Sequence, residues 1–164
     1  MSSLTELTAT IPTHSAVVNA FYDAWESRRF SIGELKVFVR NYGAFVEAFP
    51  AALARLIVGT ENVSARTEYA KTLFSELGYG QASKAHSVLF YSFFEALADK
   101  LHHPGELSRS CLIDEIALLP TTIDFINGEQ RLYASAVTVA AGAQLALEWQ
   151  AYTMLRRLYE GARN

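Results

Sequence analysis

The 164-residue chain has one cysteine, four prolines and no surplus of positive charge. Each shortage excludes something. Cys111 by itself forms no internal disulfide and no thiolate metal cluster, which fits a reducing compartment and makes the cytoplasm the expected location. The 14 Lys and Arg stand against 17 Asp and Glu and are scattered, so no basic stripe for nucleic acid exists. The start, "MSSLTELTATIPTHS", lacks the charged beginning and apolar run of a signal peptide. Nor does any uninterrupted apolar run approach the roughly 18 residues of a membrane span. Strand-like alternation, hairpin turn pairs, repeats and low-complexity linkers are also missing. With hydrophobic residues at 51% and charged ones at 19%, there is enough apolar material for one domain over residues 1–164. Residues 1–12 read as a flexible N-terminus, and the apolar excess leaves surface for a homodimer.

What is present is helical spacing, and it predicts an all-α bundle of about six helices. A first helix is expected over residues 13–28, with Val18, Phe21, Tyr22 and Trp25 on one face. "SIGE" opens the second, because Ser31 and Glu34 have the spacing at which each side chain satisfies a backbone donor of the other. Its apolar stripe, Leu35, Phe38, Tyr42, Phe45, Phe49, Leu53 and Leu56, falls within an arc of about 80°. Pro50 is expected to kink it. Further helices are read over 62–77, 82–101 and, divided by Pro120, 110–126. Asn127-Gly128 reads as a break before a long, alanine-rich helix over 130–160, apolar nearly all round and so expected in the middle of the bundle.

Three polar residues fall on faces expected to be buried. Glu76 lies on the stripe of Tyr69 and Leu73, and His86 heads that of Phe90, Phe93 and Leu97. They are ten residues apart, which on one straight helix is roughly 15 Å along the axis, too far for one metal ion. A helix broken at Gly78 and Gly80 and folded back would bring them together. Glu148 shares a face with Val137, Ala141, Tyr152 and Leu155, where a carboxylate is costly unless hydrogen-bonded, protonated or metal-bound. Glu47 lies opposite the aromatic stripe, on the side of Lys36 and Arg40, which reads as solvated. Its neighbours Gly43, Ala44, Ala51 and Ala54 nevertheless form the small-residue strip that a second helix contact would use. Carboxylates and imidazole drawn from several helices are the donor set with which bundles hold iron.

Three segments carry a family resemblance. "FYDAWESRRFSIGELKVFVRNYGAFVEAFPAALARL", "LFSELGYGQASKAHSVLFYSFFEAL" and "AAGAQLALEWQAYTMLRRLYEG" together resemble the haem-oxygenase-like helical superfamily, most closely its di-iron oxidases, relatives of the thiaminase-II and pyrroloquinoline-quinone synthase types. The second segment is similar to their Glu, Gly, Gly, His stretch and the third to a later helix with a central Glu. The resemblance implies a haem-oxygenase-like fold and one or two iron ions. It makes Glu76, His86 and Glu148 ligands and, by a looser match, Glu47. It also implies a further His, Asp, His helix, which is not found before the chain stops at "EGARN".

On this reading the chain is a non-haem iron oxidase or oxygenase-like protein acting on a small molecule in an apolar pocket walled by Tyr42, Phe45, Phe90, Phe93 and Tyr152. Two alternatives stand beside it: a truncated or degenerate member that only binds a ligand or partner, and a haem-binding protein using His14 as axial ligand. A thiaminase-like hydrolase would need Cys111 as nucleophile. His102 and His103, before Pro104, read as solvated loop residues.

Overall fold

The computed structural model describes residues 4–163. Among them are eight α-helices and no strand: α1 (Leu4–Thr10), α2 (Ala20–Ser27), α3 (Ile32–Gly59), α4 (Val63–Glu76), α5 (His86–Lys100), α6 (Arg109–Glu115), α7 (Pro120–Tyr133) and α8 (Val137–Gly161). The two beyond the expected six are α1, where a flexible N-terminus was the expectation, and the separation of α6 from α7 ahead of Pro120. The first three residues, part of that expected N-terminus, lie outside the described range. The chain divides into two compact units, residues 1–30 with 141–164, and residues 31–140.

The larger unit is built on α3, against which α4, α5, α6 and α7 pack. Ser31 caps it as the spacing predicts: the Glu34 amide donates to the Ser31 hydroxyl oxygen at 3.3 Å, and the Ser31 amide donates to the Glu34 carboxylate at 2.9 Å. The helix runs through Pro50 to Gly59. Leu35, Val39, Ala52, Leu53 and Leu56 are almost completely buried, together with Leu107 and Leu112. By length and composition α3 could cross a membrane; four helices pack along it, and Leu35, Val39, Leu53 and Leu56 on it are core residues.

Aromatic pairs set the register. On α5, Phe94 meets Phe38 and Phe90 stacks on Tyr42, with centroids 5.9 and 5.4 Å apart, so α5 runs opposite to α3. On α7, Phe125 meets Phe45 and Tyr133 meets Phe49, at 5.5 and 6.2 Å, so α7 runs in the same direction as α3.

The side of α3 read as solvated is covered. Lys36 makes ion pairs with Glu106 at 2.7 Å and Glu115 at 2.9 Å, Arg40 donates to the Ile116 carbonyl, the Leu119 amide donates to Asn41, and Glu47 pairs with Arg109. The two carboxylates hold the Lys36 ammonium well above the usual lysine range, and it in turn holds theirs low. Gly43 is buried here because the Tyr91 ring occupies the place of a side chain.

The expected break at Asn127-Gly128 does not occur. Gly128 keeps a negative φ, and Phe125 and Tyr133, anchored on α3 either side of it, outweigh the poor helix propensity of the pair. The chain breaks instead at residues 134–136.

In the smaller unit, residues 11–13 form a 3-10 turn and α2 begins later than the periodicity suggests, where Asn19 accepts from the amides of Phe21 and Tyr22. Its buried residues are Tyr22 and Trp25, with Val17 buried just ahead of it, while Val18 and Phe21 are exposed. The Trp25 indole donates to the Leu158 carbonyl at 2.9 Å. Arg157 uses its whole fork: Nε and Nη2 donate to Glu26, Nη2 also to Asp23, and Nη1 to the Val17 carbonyl. An ammonium is a single point and cannot reproduce this fork. Arg157→Lys is therefore expected to lose hydrogen-exchange protection in α2 while leaving α3 unchanged. Equal protection of α2 in both proteins would show that the fork does not hold it. On α8 the buried positions are Ala140 and Gln144, whereas Trp149, Tyr152, Leu155 and Tyr159 are exposed, so the expectation of a helix buried all round is not met.

Candidate metal centre

Everything about the Glu76 and His86 pair depends on the turn between them. At the end of α4 the Gly78 amide donates to the Ser75 carbonyl and the Tyr79 amide to the Phe74 carbonyl, and three successive residues, Gly78, Tyr79 and Gly80, have φ of 80°, 55° and 81°. Left-handed backbone is cheap for glycine, so the flanking positions allow the reversal. Tyr79 accepts it with help: its ring packs edge-on against Phe74, and its hydroxyl receives a hydrogen bond from Ser75 at 2.8 Å. A 3-10 turn over Ala82–Lys84 follows, and His86 is the first residue of α5.

The two side chains meet, with His86 Nδ1 3.0 Å from Glu76 Oε2. The expectation that both face the core holds only in part: Glu76 is 15% exposed and His86 47%. α5 is turned by one residue from the expected stripe, burying Tyr91, Phe94 and Ala98 and leaving Leu89, Phe93 and Leu101 exposed. The pair therefore opens to solvent on the His86 side.

The donor chemistry of the pair suits a first-row divalent ion. Oxygen with imidazole nitrogen is a set that iron accepts. The 3.0 Å separation is that of a direct ion pair or hydrogen bond between the two groups; two ligands each about 2.1 Å from one ion and at right angles would stand roughly as far apart. Among the described residues no third His, Cys, Asp or Glu joins them in a ligand cluster.

Of the other candidates, the Glu47 carboxylate is taken by Arg109. Glu148 is exposed, not buried, and accepts a hydrogen bond from Gln144 at 2.7 Å; it belongs to the smaller unit. Tyr42, Phe45 and Phe90 do form one aromatic cluster. Phe93 touches Phe94 from an exposed position, and Tyr152, in the smaller unit, is 76% exposed. His14 is exposed and its Nδ1 accepts from the Ala16 amide. His103 is bound to Glu106 at 2.8 Å instead of being free in solvent. Burial and the neighbouring Glu115 push the Cys111 thiol up, the opposite of what a nucleophile needs.

Glu129 was missed. It is the one buried acidic residue among those described, 6% exposed, with neither oxygen hydrogen-bonded, and burial pushes its carboxyl up to about 7. Its signal was available, since Phe125, Glu129 and Tyr133 are spaced at four, but reading Asn127-Gly128 as a break hides a stripe that crosses it.

A search of curated proteins finds no match. The model of one family, described as iron-containing redox enzyme, matches residues 36–164 and so takes in the turn, the Glu76–His86 pair and all of α4 to α7. With that match over more than half of its length and an all-α fold, the chain belongs to the haem-oxygenase-like family of iron-containing redox enzymes.

Proposed function

We propose that this protein is a non-haem iron-dependent oxidase or oxygenase acting on a small molecule, with Glu76 and His86 as protein donors to iron. The observation that carries the reading is the 3.0 Å approach of the pair across a turn whose backbone two glycines permit. Iron at this place would supply dioxygen activation. The residues supply the setting. Glu76 contributes negative charge that favours a cation, and His86 a neutral nitrogen donor once it is deprotonated. Phe90, one turn beyond His86, stacks on Tyr42, which lies against Phe45. That cluster provides apolar wall for a small organic substrate and keeps water from one side.

The test is anaerobic loading with ferrous iron, removal of unbound metal, and iron analysis. The wild type is expected to keep iron, and Glu76→Gln and His86→Ala to weaken retention by about tenfold or more. Wild-type retention below about a tenth of an equivalent, or equal retention in all three proteins, would overturn the reading.

A further inference from the structure

Three buried oxygens at the contact of α7 with α3 have no donor: both carboxylate oxygens of Glu129 and the side-chain oxygen of Gln130. Buried polar atoms are ordinarily hydrogen-bonded, and a buried carboxylate is costly unless it keeps a proton or meets a cation. No neighbouring charge offsets that cost, since burial is the whole cause of the raised Glu129 carboxyl.

Two aromatic pairs frame the place. Phe125 meets Phe45 and Tyr133 meets Phe49, and Glu129 stands midway on α7, four residues from each of its two rings and so on the same helix face. Gln130 reaches the same level of α3, because its amide donates to the carbonyl of Ala48, which lies between Phe45 and Phe49 in the chain. The three oxygens and the four rings thus share one short stretch of the contact. Carboxylate and aromatic rings are together a setting that favours a cation. Entry is on the Phe125 side: that ring is 51% exposed, so it can turn aside and offer a surface to an apolar stem.

The kind of cation follows from counting donors. An alkylammonium carries three N–H groups, matching the three oxygens, whereas a quaternary ammonium carries none and would leave every oxygen as it is. Calcium and magnesium take roughly six or more oxygens, beyond what this stretch supplies. We infer that the polar gap between the two aromatic pairs binds the primary ammonium group of a small molecule, with Glu129 and Gln130 accepting its hydrogen bonds. This site is on α7 and α3 and does not depend on iron at Glu76 and His86.

The experiment is calorimetric titration of the full chain, without added metal, with n-butylammonium chloride, and with tetramethylammonium chloride and sodium chloride as controls. Wild type, Glu129→Asp and Glu129→Gln are compared, and melting curves verify that each is folded. Saturable binding of n-butylammonium is expected in the wild type, weaker by about tenfold or more in Glu129→Gln and intermediate in Glu129→Asp. Tetramethylammonium is expected to bind the wild type about tenfold or more less tightly, because it has no N–H to donate. Absence of saturable n-butylammonium binding, equal affinity in wild type and Glu129→Gln, or equal affinity for the two ammonium ions in the wild type would each overturn the inference. The last comparison needs no variant, so it decides the matter even if a substitution unfolds the protein. None of these outcomes bears on iron retention, so this site and the iron reading fail separately.

Discussion

Replacing Gly78 with alanine lowers stability by about 3 kcal/mol and disconnects Glu76 from His86, whereas the same change at Gly80 costs about 1 kcal/mol. Both glycines have positive φ, 80° and 81°. The difference is space. A Cβ on Gly78 would collide with the backbone of Gln81, Lys84 and Ala85, which cannot move without undoing the 3-10 turn that leads to His86. At Gly80 the nearest atoms are the Phe74 ring at 3.7 Å, an ordinary contact. Denaturant unfolding gives the two stabilities, and iron retention reads the pair. Equal losses at the two positions, or full iron retention in Gly78→Ala, would show that the reversal does not depend on close packing at Gly78.

A second large effect is expected at Glu129, and its sign follows from the direction of the shift. Burial raises its carboxyl from 4.5 to about 7. The folded state therefore holds a proton that the unfolded chain has released over that interval. Its contribution is fully present below about pH 4.5, falls as pH rises towards 7 and is gone above it, a total of about 3 kcal/mol in protein without added metal. Glu26, Glu106 and Glu115 are shifted the other way, each chiefly by a hydrogen bond from Arg157 or Lys36. What they contribute is present above about pH 4.5 and lost below it, so the two effects occupy different windows. Urea unfolding at several values between about pH 5 and 8 is expected to show declining stability in the wild type and little change in Glu129→Leu, which leaves no group to ionise or to hydrogen-bond. The same slope in both proteins would rule out Glu129 as its source.

Much of the fold was legible from local rules. The Ser31–Glu34 cap, the Asn62 start of α4 and the glycine turn after Glu76 each rest on residues within one or two helical turns, where spacing and backbone preference suffice. The pairing of Glu76 with His86 was legible for the same reason, since ten residues and two glycines leave few ways to fold back.

The errors came where distant contacts outweighed local preference. Asn127-Gly128 reads as a break, yet Phe45 and Phe49 on α3 hold α7 straight through it, and the stripe carrying Glu129 was lost with that misreading. Lys36 and Glu47 look solvated on a helical wheel until residues 106–119 cover them. Glu148 looks buried because its helix is apolar all round, yet exposure depends on what packs against a helix and not on the helix itself.

The sequence by itself determined the helical class, the caps and the turn that joins a carboxylate to an imidazole, because all of these are settled by neighbours along the chain. Only the tertiary structure decided which faces are covered, which carboxylates find a cation and which one, Glu129, is buried with none. Desolvation and pairing depend on groups brought together from distant parts of the chain.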